Sequence, residues 1–381
     1  MAANASRSLI IRGYPEFCKL GDAWDELATR TGNEAAWLTH GWLDCWWRAF
    51  GTECQMFIPT VWEDDRLVAA APMMVKKERV KRVGCRVLRF MENGLTPRSQ
   101  LLLDPSFPEA VNGMWRLILS ERRRWDLAVL ANVPHQDAQV DIWRDTLAAS
   151  GLRFVEMPDR QSPFIDLSQG YEAFLAGISR KKRENINASR NRLSRCGVVS
   201  MQMYSRSTEL LPALEICAGI SSRSWKAVGH FDLASRPAHR AFYRSLATEP
   251  STEGRLLVFI LRLDEQPIAF NMVVRSGSYV TGLATDYDLT YRRASPGAYL
   301  FSRLLAELVT LGISRCDMAG QAYEYKLSWA RDSLSHSQFR IFHTGVKSRL
   351  LYRAEILATK LRRPEPGGAI RSVGRETAGS A

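Results

Sequence analysis

Arg292-Arg293-Ala294-Ser295-Pro296-Gly297-Ala298 stands between a strand-like run and a long segment with one apolar face. A helix entered through such a turn starts with backbone N–H groups that have no intrahelical acceptor, and its dipole favours negative charge there. Pro296 lacks an N–H, and its fixed φ suits a first turn. Gly297 lets a pyrophosphate approach the backbone, and the two arginines can add charge-assisted contacts. The bland alternative is that Ser-Pro-Gly only starts a helix.

Charge gives a second feature. Residues 1–160 carry 21 Lys or Arg and 21 Asp or Glu, so the net charge of +12 lies wholly in 161–381. It is concentrated in 180–195, RKKRENINASRNRLSR, and in 347–381. Localised positive charge faces phosphate, RNA or lipid headgroups, or serves only solubility. Within 180–195 there are no aromatic residues to stack bases on. As one helix, the stretch has a narrow apolar stripe of Ile178, Ile186 and Leu193, with Lys182, Arg183 and Arg190 on the wet side.

Other chemistries find less support. The serines have no visible His–Asp partner for a hydrolase triad. Six His and seven Cys (18, 45, 54, 85, 196, 217, 316) form no CxxC pair and no zinc spacing, so no metal is expected. Scattered thiols fit a reducing compartment. The N-terminus has no apolar h-region, and no run of 18 apolar residues exists. A cytoplasmic location is expected, with peripheral membrane contact left open.

These features need elements to hold them. The first half reads as a strand at 8–13, helices at 16–30 and 40–50, a hairpin over 56–77, a strand at 87–91, a helix at 107–123, a strand at 125–133, a helix at 137–150 and a strand at 152–157. The second half offers a strand-like 162–168, then helices at 170–178, 207–222 and 237–248. Three strands over 255–287, a helix at 294–312, a strand at 315–319 and a helix at 322–330 complete it. Leu300, Leu304, Leu308 and Leu311 give helix 294–312 one apolar face.

WEDDRLVAAAPMMV (62–75) aligns with RLDEQPIAFNMVV (262–274) at an offset of 200, with Asp64 on Asp264 and Ala69 on Ala269. This faint repeat predicts a mixed α/β (α+β) fold of two similar tandem domains, each a mixed, mostly antiparallel sheet flanked by helices. The expected domains are 1–160 and 161–345. An amphipathic helix at 346–363 with Leu350, Ala354, Leu357 and Leu361 on one face would follow, then a disordered tail at 364–381. That helix docks on the second domain or, as a minority reading, lies at a membrane surface.

Four pieces, in order, carry a family resemblance. They are Ser179-Arg180-Lys181-Lys182-Arg183 before a basic helix; Arg223-Ser224-Trp225-Lys226 with Gly229; Tyr287-Asp288 followed by Ser295-Pro296-Gly297; and Asp317-x-x-Gly320-x-x-x-x-Tyr325-Lys326-x-x-Trp329. The chain here resembles GNAT-superfamily acyltransferases of the CelD-like group, from cellulose and exopolysaccharide biosynthesis, which are related to FemAB transferases. The helix-entry turn is similar to the GNAT pyrophosphate loop, with Ser295 where that pattern has its first Gly. The resemblance covers 179–329; the first half fits only by length and a Trp-rich helix.

The resemblance implies two tandem GNAT-like domains, the first without a cofactor site. It implies acyl transfer from acetyl-CoA or another acyl-CoA to an amine or hydroxyl, without metal. Such chemistry needs an oxyanion donor, a base and an acid for the leaving thiolate. The donor would come from a splayed or bulged position in strand 279–287, the base would be Asp286 or Asp288, and the acid Tyr325 with Lys326 beside it. Arg292, Arg293, Ser295, Pro296, Gly297 and Ala298 would hold the cofactor. Arg183, Trp225, Lys226, Asp317 and Trp329 would bind substrate. Each has a structural rival: a turn for the aspartates, core neighbours for Tyr325 and Trp329, a loop anchor for Asp317, an interface brace for Trp225 and Lys226.

The basic stretch would rim an anionic acceptor or the CoA 3′-phosphate, ahead of a solvated face or tRNA. The acceptor is expected to be a small molecule or saccharide. Two alternatives stand beside this reading: an aminoacyl-tRNA-dependent FemAB-like transferase, and a non-catalytic accessory of polysaccharide synthesis. The oligomeric state is not legible.

Overall fold

The structure, a computed structural model, describes residues 6–32, 34–361 and 371–373. In chain order the elements are β1 (Ser6–Ile11), α1 (Tyr14–Cys18), α2 (Gly21–Arg30), α3 (His40–Phe50), β2 (Cys54–Met56), β3 (Ile58–Glu63), β4 (Arg66–Ala70), β5 (Met73–Val80), β6 (Val83–Phe90) and β7 (Leu102–Leu103). Then come α4 (Ala110–Ser120), β8 (Leu127–Pro134), α5 (Ala138–Ala149), β9 (Arg153–Asp166), α6 (Tyr171–Gly177), α7 (Arg180–Ser194), β10 (Val199–Tyr204), α8 (Ser207–Ser221) and α9 (Pro237–Thr248). The rest are β11 (Leu256–Leu263), β12 (Gln266–Ser276), β13 (Tyr279–Tyr287), α10 (Pro296–Thr310), β14 (Arg315–Asp317), α11 (Glu324–Leu327), β15 (Asp332–Phe342), α12 (Val346–Leu361) and β16 (Arg371–Val373).

The chain divides into two compact units. One contains the described residues of 1–33, 50–161 and 334–381, the other those of 34–49 and 162–333. This corrects a simple cut at 160. Residues 34–49 join the second unit because Trp42 packs edge-on to Phe242, Trp37 meets Tyr279, and the Ala36 N–H bonds Ser276 Oγ at 3.1 Å. Residues after 333 join the first because β15 pairs with β8.

In the first unit, β1, β3, β4 and β7 form an antiparallel sheet. A second sheet has the order β2-β5-β6-β8-β15-β9, with β6 and β8 parallel. Its core is rich in tryptophan: Trp115 stacks on Trp143, and Trp143 meets Phe90 and Phe339. β5 and β6 form a hairpin whose turn residues Lys81 and Arg82 both have positive φ.

Helix α12 turns a different face inward from the expected one. Leu350 and Leu357 are exposed, while Ser348, Leu351 and Glu355 are buried. The inner face holds a carboxylate because Arg340 and Lys81 neutralise Glu355 at 2.7 and 3.2 Å, which hydropathy does not register. The expected disordered tail lies outside the described residues apart from β16, which pairs antiparallel with β9.

The second unit is a sheet of order β10-β11-β12-β13-β14 followed by residues 164–166 of β9. All pairs are antiparallel except β13 with β14. Both faces are covered. Leu257, Phe259, Leu261 and Leu263 pack with Ile186 and Leu193 of α7 and with Leu300, Leu304 and Leu308 of α10. The alternate residues Leu256, Val258 and Ile260 turn to the other face by strand periodicity, where α8 packs on β11, β12 and β13.

The repeat has a local structural counterpart. Asp64 and Asp264 occupy the hairpin turns β3–β4 and β11–β12, both left-handed, at φ 53° and 50°. Each hairpin breaks register at the matching place, after Val61 and after Leu261.

Candidate functional site

The site is built where β13 and β14 part. Their parallel pairing covers only Tyr279–Thr281 against Arg315–Asp317. β13 continues to Tyr287, whereas the chain after Asp317 leaves the sheet. At the point of divergence, Val273 pairs with Gly282 and Met272 with Ala284, so Leu283 is an extra, bulged residue. Gly282 keeps the opening narrow but clear: an added Cβ would lie 3.4 Å from the Met318 carbonyl oxygen.

Beyond β13, a 3-10 turn at Leu289–Ala294 leads into α10. Ser295 is left-handed at φ 54°, Pro296 occupies the first turn, and Ala298 N–H bonds back to the Ser295 carbonyl at 3.1 Å. Arg292 and Arg293 are exposed beside this entry. A Cβ on Gly297 would meet only Tyr287, at 3.4 Å. The entry is braced by Ser189 of α7, whose hydroxyl donates to the carbonyls of Ala294 and Ser295 at 2.5 and 2.9 Å. The entry therefore offers the Gly297 N–H at the positive end of the helix dipole, with two exposed arginines beside it.

The two candidate aspartates differ in their surroundings. Asp286, 6% exposed, accepts the Ser221 hydroxyl at 2.6 Å and lies 2.9 Å from Lys226 Nζ. The hydrogen bond of that ammonium goes to the Thr285 carbonyl at 2.8 Å, so its contact with Asp286 is mainly one of charge. Asp288 instead caps the following turn through Thr290 N–H at 2.9 Å and pairs with Arg223 at 2.5 Å. Burial works to raise its pKa, but the bonds from Arg223 and Thr290 outweigh it and hold the carboxyl below its usual range.

Tyr325 is 55% exposed and stacks on Tyr323. Its pKa is raised, first by burial, then by Tyr323 and by the charge of Asp286. The charge of Asp286 is thus felt at Tyr325. Lys326 is only 8% exposed and donates to the carbonyls of Met318, at 2.9 Å, and Ala319. Burial brings its pKa down to about 8, against the pull of Asp317.

Other expected site residues have structural duties. Asp317 is buried and accepts from Ser162 Oγ and Ala319 N–H, fixing the loop after β14. Trp329, 5% exposed, packs edge-on to Phe301, and the Lys182 ammonium lies 3.9 Å over its ring. It is a core residue and leaves the substrate-binding set. The expected helix 322–330 shrinks to α11, which separates exposed Tyr325 from buried Trp329. Arg183 donates to the carbonyls of Leu175, Ala176 and Ile178, closing the C-terminus of α6. Trp225 is 60% exposed beside Lys226.

Ser221 was not singled out from sequence, Lys182 was expected on the wet side of the basic helix, and the bulge was expected only as some position in strand 279–287. Ser221 anchors Asp286 and also accepts the Leu233 N–H at 2.9 Å. Lys182, over Trp329, has its pKa brought to about 8 by burial. Leu283 is the bulge. Ser221 alone carried no signal. Among the described residues, no group of three or more His, Cys, Asp or Glu is placed to hold a metal ion, and no helix is long and apolar enough to cross a membrane.

The first unit differs at the corresponding entry. α4 follows a loop in which Asp104 accepts from Ser106 N–H and pairs with Arg30 and Arg66. In the loop before α4, Asp104 thus neutralises both arginines.

Residues 180–327 match the family model described as an acetyltransferase (GNAT) domain. Solved structures with the same fold include FemX, at 11% identity and TM-score 0.61, covering 91% of this chain and 99% of that one. Another is the C-terminal domain of a putative lysylphosphatidylglycerol synthetase from Agrobacterium fabrum, at 12% identity and TM-score 0.53, covering 90% and 97%. A tandem GNAT protein from the clavulanic acid pathway aligns at 14% identity and TM-score 0.50, covering 90% and 99%. No curated protein sequence matches. The fold is thus a tandem GNAT-like arrangement with mostly antiparallel sheets flanked by helices, and its second half carries the GNAT-domain match.

Proposed function

We propose that the second unit transfers an acyl group from an acyl-CoA thioester to an amine or hydroxyl acceptor. The observation that carries this reading is the cleft in which β13 parts from β14 at the Leu283 bulge, with the Gly297 entry of α10 at its end. The diphosphate of the donor lies at the Gly297 N–H, flanked by Arg292 and Arg293. The pantetheine runs between β13 and residues 317–320. The thioester carbonyl then meets backbone N–H at the bulge, where charge develops as the acceptor adds.

The acceptor nitrogen or oxygen bonds the thioester carbon and yields its proton to Asp286, whose charge faces Lys226. The tetrahedral intermediate collapses, the carbon–sulfur bond breaks, and Tyr325 gives its proton to the leaving thiolate. Lys326, as a cation, favours the negative sulfur. Trp225, exposed beside Lys226, lines the acceptor side. We propose acetyl-CoA as the first donor to test and a sugar amine or polysaccharide precursor as acceptor, in keeping with the CelD-like motifs. The first unit serves without a donor site of its own, since its α4 entry has no Pro-Gly turn and the arginines beside the preceding loop are neutralised by Asp104.

A second reading has one observation in its favour: the exposed basic face of α7, which suits a tRNA backbone. The donor would then be an aminoacyl-tRNA, as FemAB relatives use. The test is thiol release from acetyl-CoA across a panel of amines, amino sugars and hydroxyl acceptors, with product mass. Acceptor-dependent thiol release matched by an acetylated product supports acyl-CoA chemistry. Transfer only from charged tRNA would replace it.

A further inference from the structure

The basic run beside the α10 entry has a cavity of its own. Ser189 ties α7 to the entry turn, and from there α7 packs along α10. Between α6, α7 and α10 opens a cavity of about 270 Å³, lined among others by Tyr171, Arg183, Asn187, Arg190, Tyr299 and Arg303. No carboxylate lines it. Arg183 is engaged with three carbonyls, but Arg190 and Arg303 make no hydrogen bond or ion pair among the described residues. Two uncompensated guanidinium groups beside one cavity are suited to an anion with several acceptor oxygens. The Tyr171 hydroxyl, 2.5 Å from Ser302 Oγ, and the Asn187 amide add neutral polar groups, and Tyr299 offers a ring face.

Position narrows the ligand. Arg303 lies six residues beyond Gly297 on α10, roughly 9 Å along the axis, about the span of a nucleoside. Arg190 follows directly on Ser189, which holds the entry turn. An anion here is therefore within one nucleoside of a diphosphate at the entry.

Building on the proposed donor site, we infer that this cavity holds the 3′-phosphorylated ribose of the donor, with Arg190 and Arg303 as its phosphate ligands. The protein then selects CoA thioesters over pantetheine thioesters that lack the nucleotide, such as those on a carrier protein.

The test is calorimetric titration of CoA and 3′-dephospho-CoA into wild type, Arg190→Gln, Arg303→Gln and the double variant, each checked for an unchanged melting temperature. Wild type should bind CoA about tenfold or more tighter than dephospho-CoA, as expected for charge-assisted contacts. The double variant should bring that ratio to near one while leaving dephospho-CoA affinity unchanged. Equal binding of both ligands by wild type overturns the inference and leaves the diphosphate site standing. An equal loss for both ligands in the variants reduces the arginines to general attraction and also overturns it. Binding of neither ligand removes the donor reading as well. Displacement of CoA by bulk tRNA in wild type but not in the double variant would assign the cavity to nucleic acid.

Discussion

Lys226 Nζ lies 2.9 Å from Oδ1 of Asp286, while Ser221 holds Oδ2 at 2.6 Å. These contacts fix one carboxylate at the end of β13. Asp286→Asn keeps the shape and the hydroxyl contact but removes the proton acceptor. Its kcat should fall by about a hundredfold to ten-thousandfold, with donor affinity within a few fold. Lys226→Met should lower kcat less and raise the acceptor KM. Steady-state kinetics with varied acceptor separates the two effects.

Asp288 is the control for that assignment. Its carboxylate caps a turn and pairs with Arg223. Asp288→Asn keeps a capping side chain but loses the ion pair with Arg223, so it should cost about 1 kcal/mol or less of stability and leave kcat within about threefold. Since the folded pKa is depressed, this contribution is present above the unfolded pKa and is lost as pH falls through the folded value. Chemical denaturation at neutral and acid pH measures it. A kcat loss as large as that of Asp286→Asn would exchange the two roles.

How legible was this in sequence? The α10 entry was visible because Pro296 suits a first helical turn, where the structure places it; the left-handed φ of Ser295 was not legible, since a residue before proline favours extended backbone. The repeat was visible at Asp64 and Asp264 because short polar residues mark hairpin turns. The β5–β6 hairpin was missed because Lys81 and Arg82, not Gly or Asn, take the positive φ of its turn. The inner face of α12 was misread because a neutralised Glu355 is buried and Leu350 is not. The pairing of Ser221 with Asp286 and the bulge at Leu283 arise from tertiary register, which no local pattern records.

Lys326 gives a pH signature. Its pKa in the fold is brought from 10.5 down to about 8. If its cation assists the leaving thiolate, kcat should decline above about pH 8, and Lys326→Arg should push that limb up beyond the range of Lys titration. Stability has the opposite slope: between about 8 and 10.5 the unfolded chain holds more protons, so stability rises with pH. Lys182 adds a change of the same sign, so Lys326→Met should reduce the rise without abolishing it. Rate profiles and denaturation series over pH 6–11 read both.

Gly282 reports on the cleft itself. An added methyl would sit in ordinary contact with the Met318 carbonyl oxygen at 3.4 Å. Gly282→Ala should therefore fold with a loss under about 1 kcal/mol, whereas Gly282→Leu should fill the gap between β13 and residues 317–318. Donor binding should weaken at least about tenfold in Gly282→Leu and little in Gly282→Ala, a difference of about 1.4 kcal/mol or more. Equal binding by both would place the pantetheine elsewhere.

The central claim is that an acyl-CoA enters at the α10 turn, and Gly297→Glu tests it most directly. A carboxylate in the first turn suits the helix dipole, so the variant should fold normally. It also puts negative charge where the diphosphate must lie. Calorimetric titration of acetyl-CoA should show saturable one-site binding to wild type and to Gly297→Ala, and none to Gly297→Glu. Unchanged binding in Gly297→Glu, or no binding by folded wild type, would contradict the account.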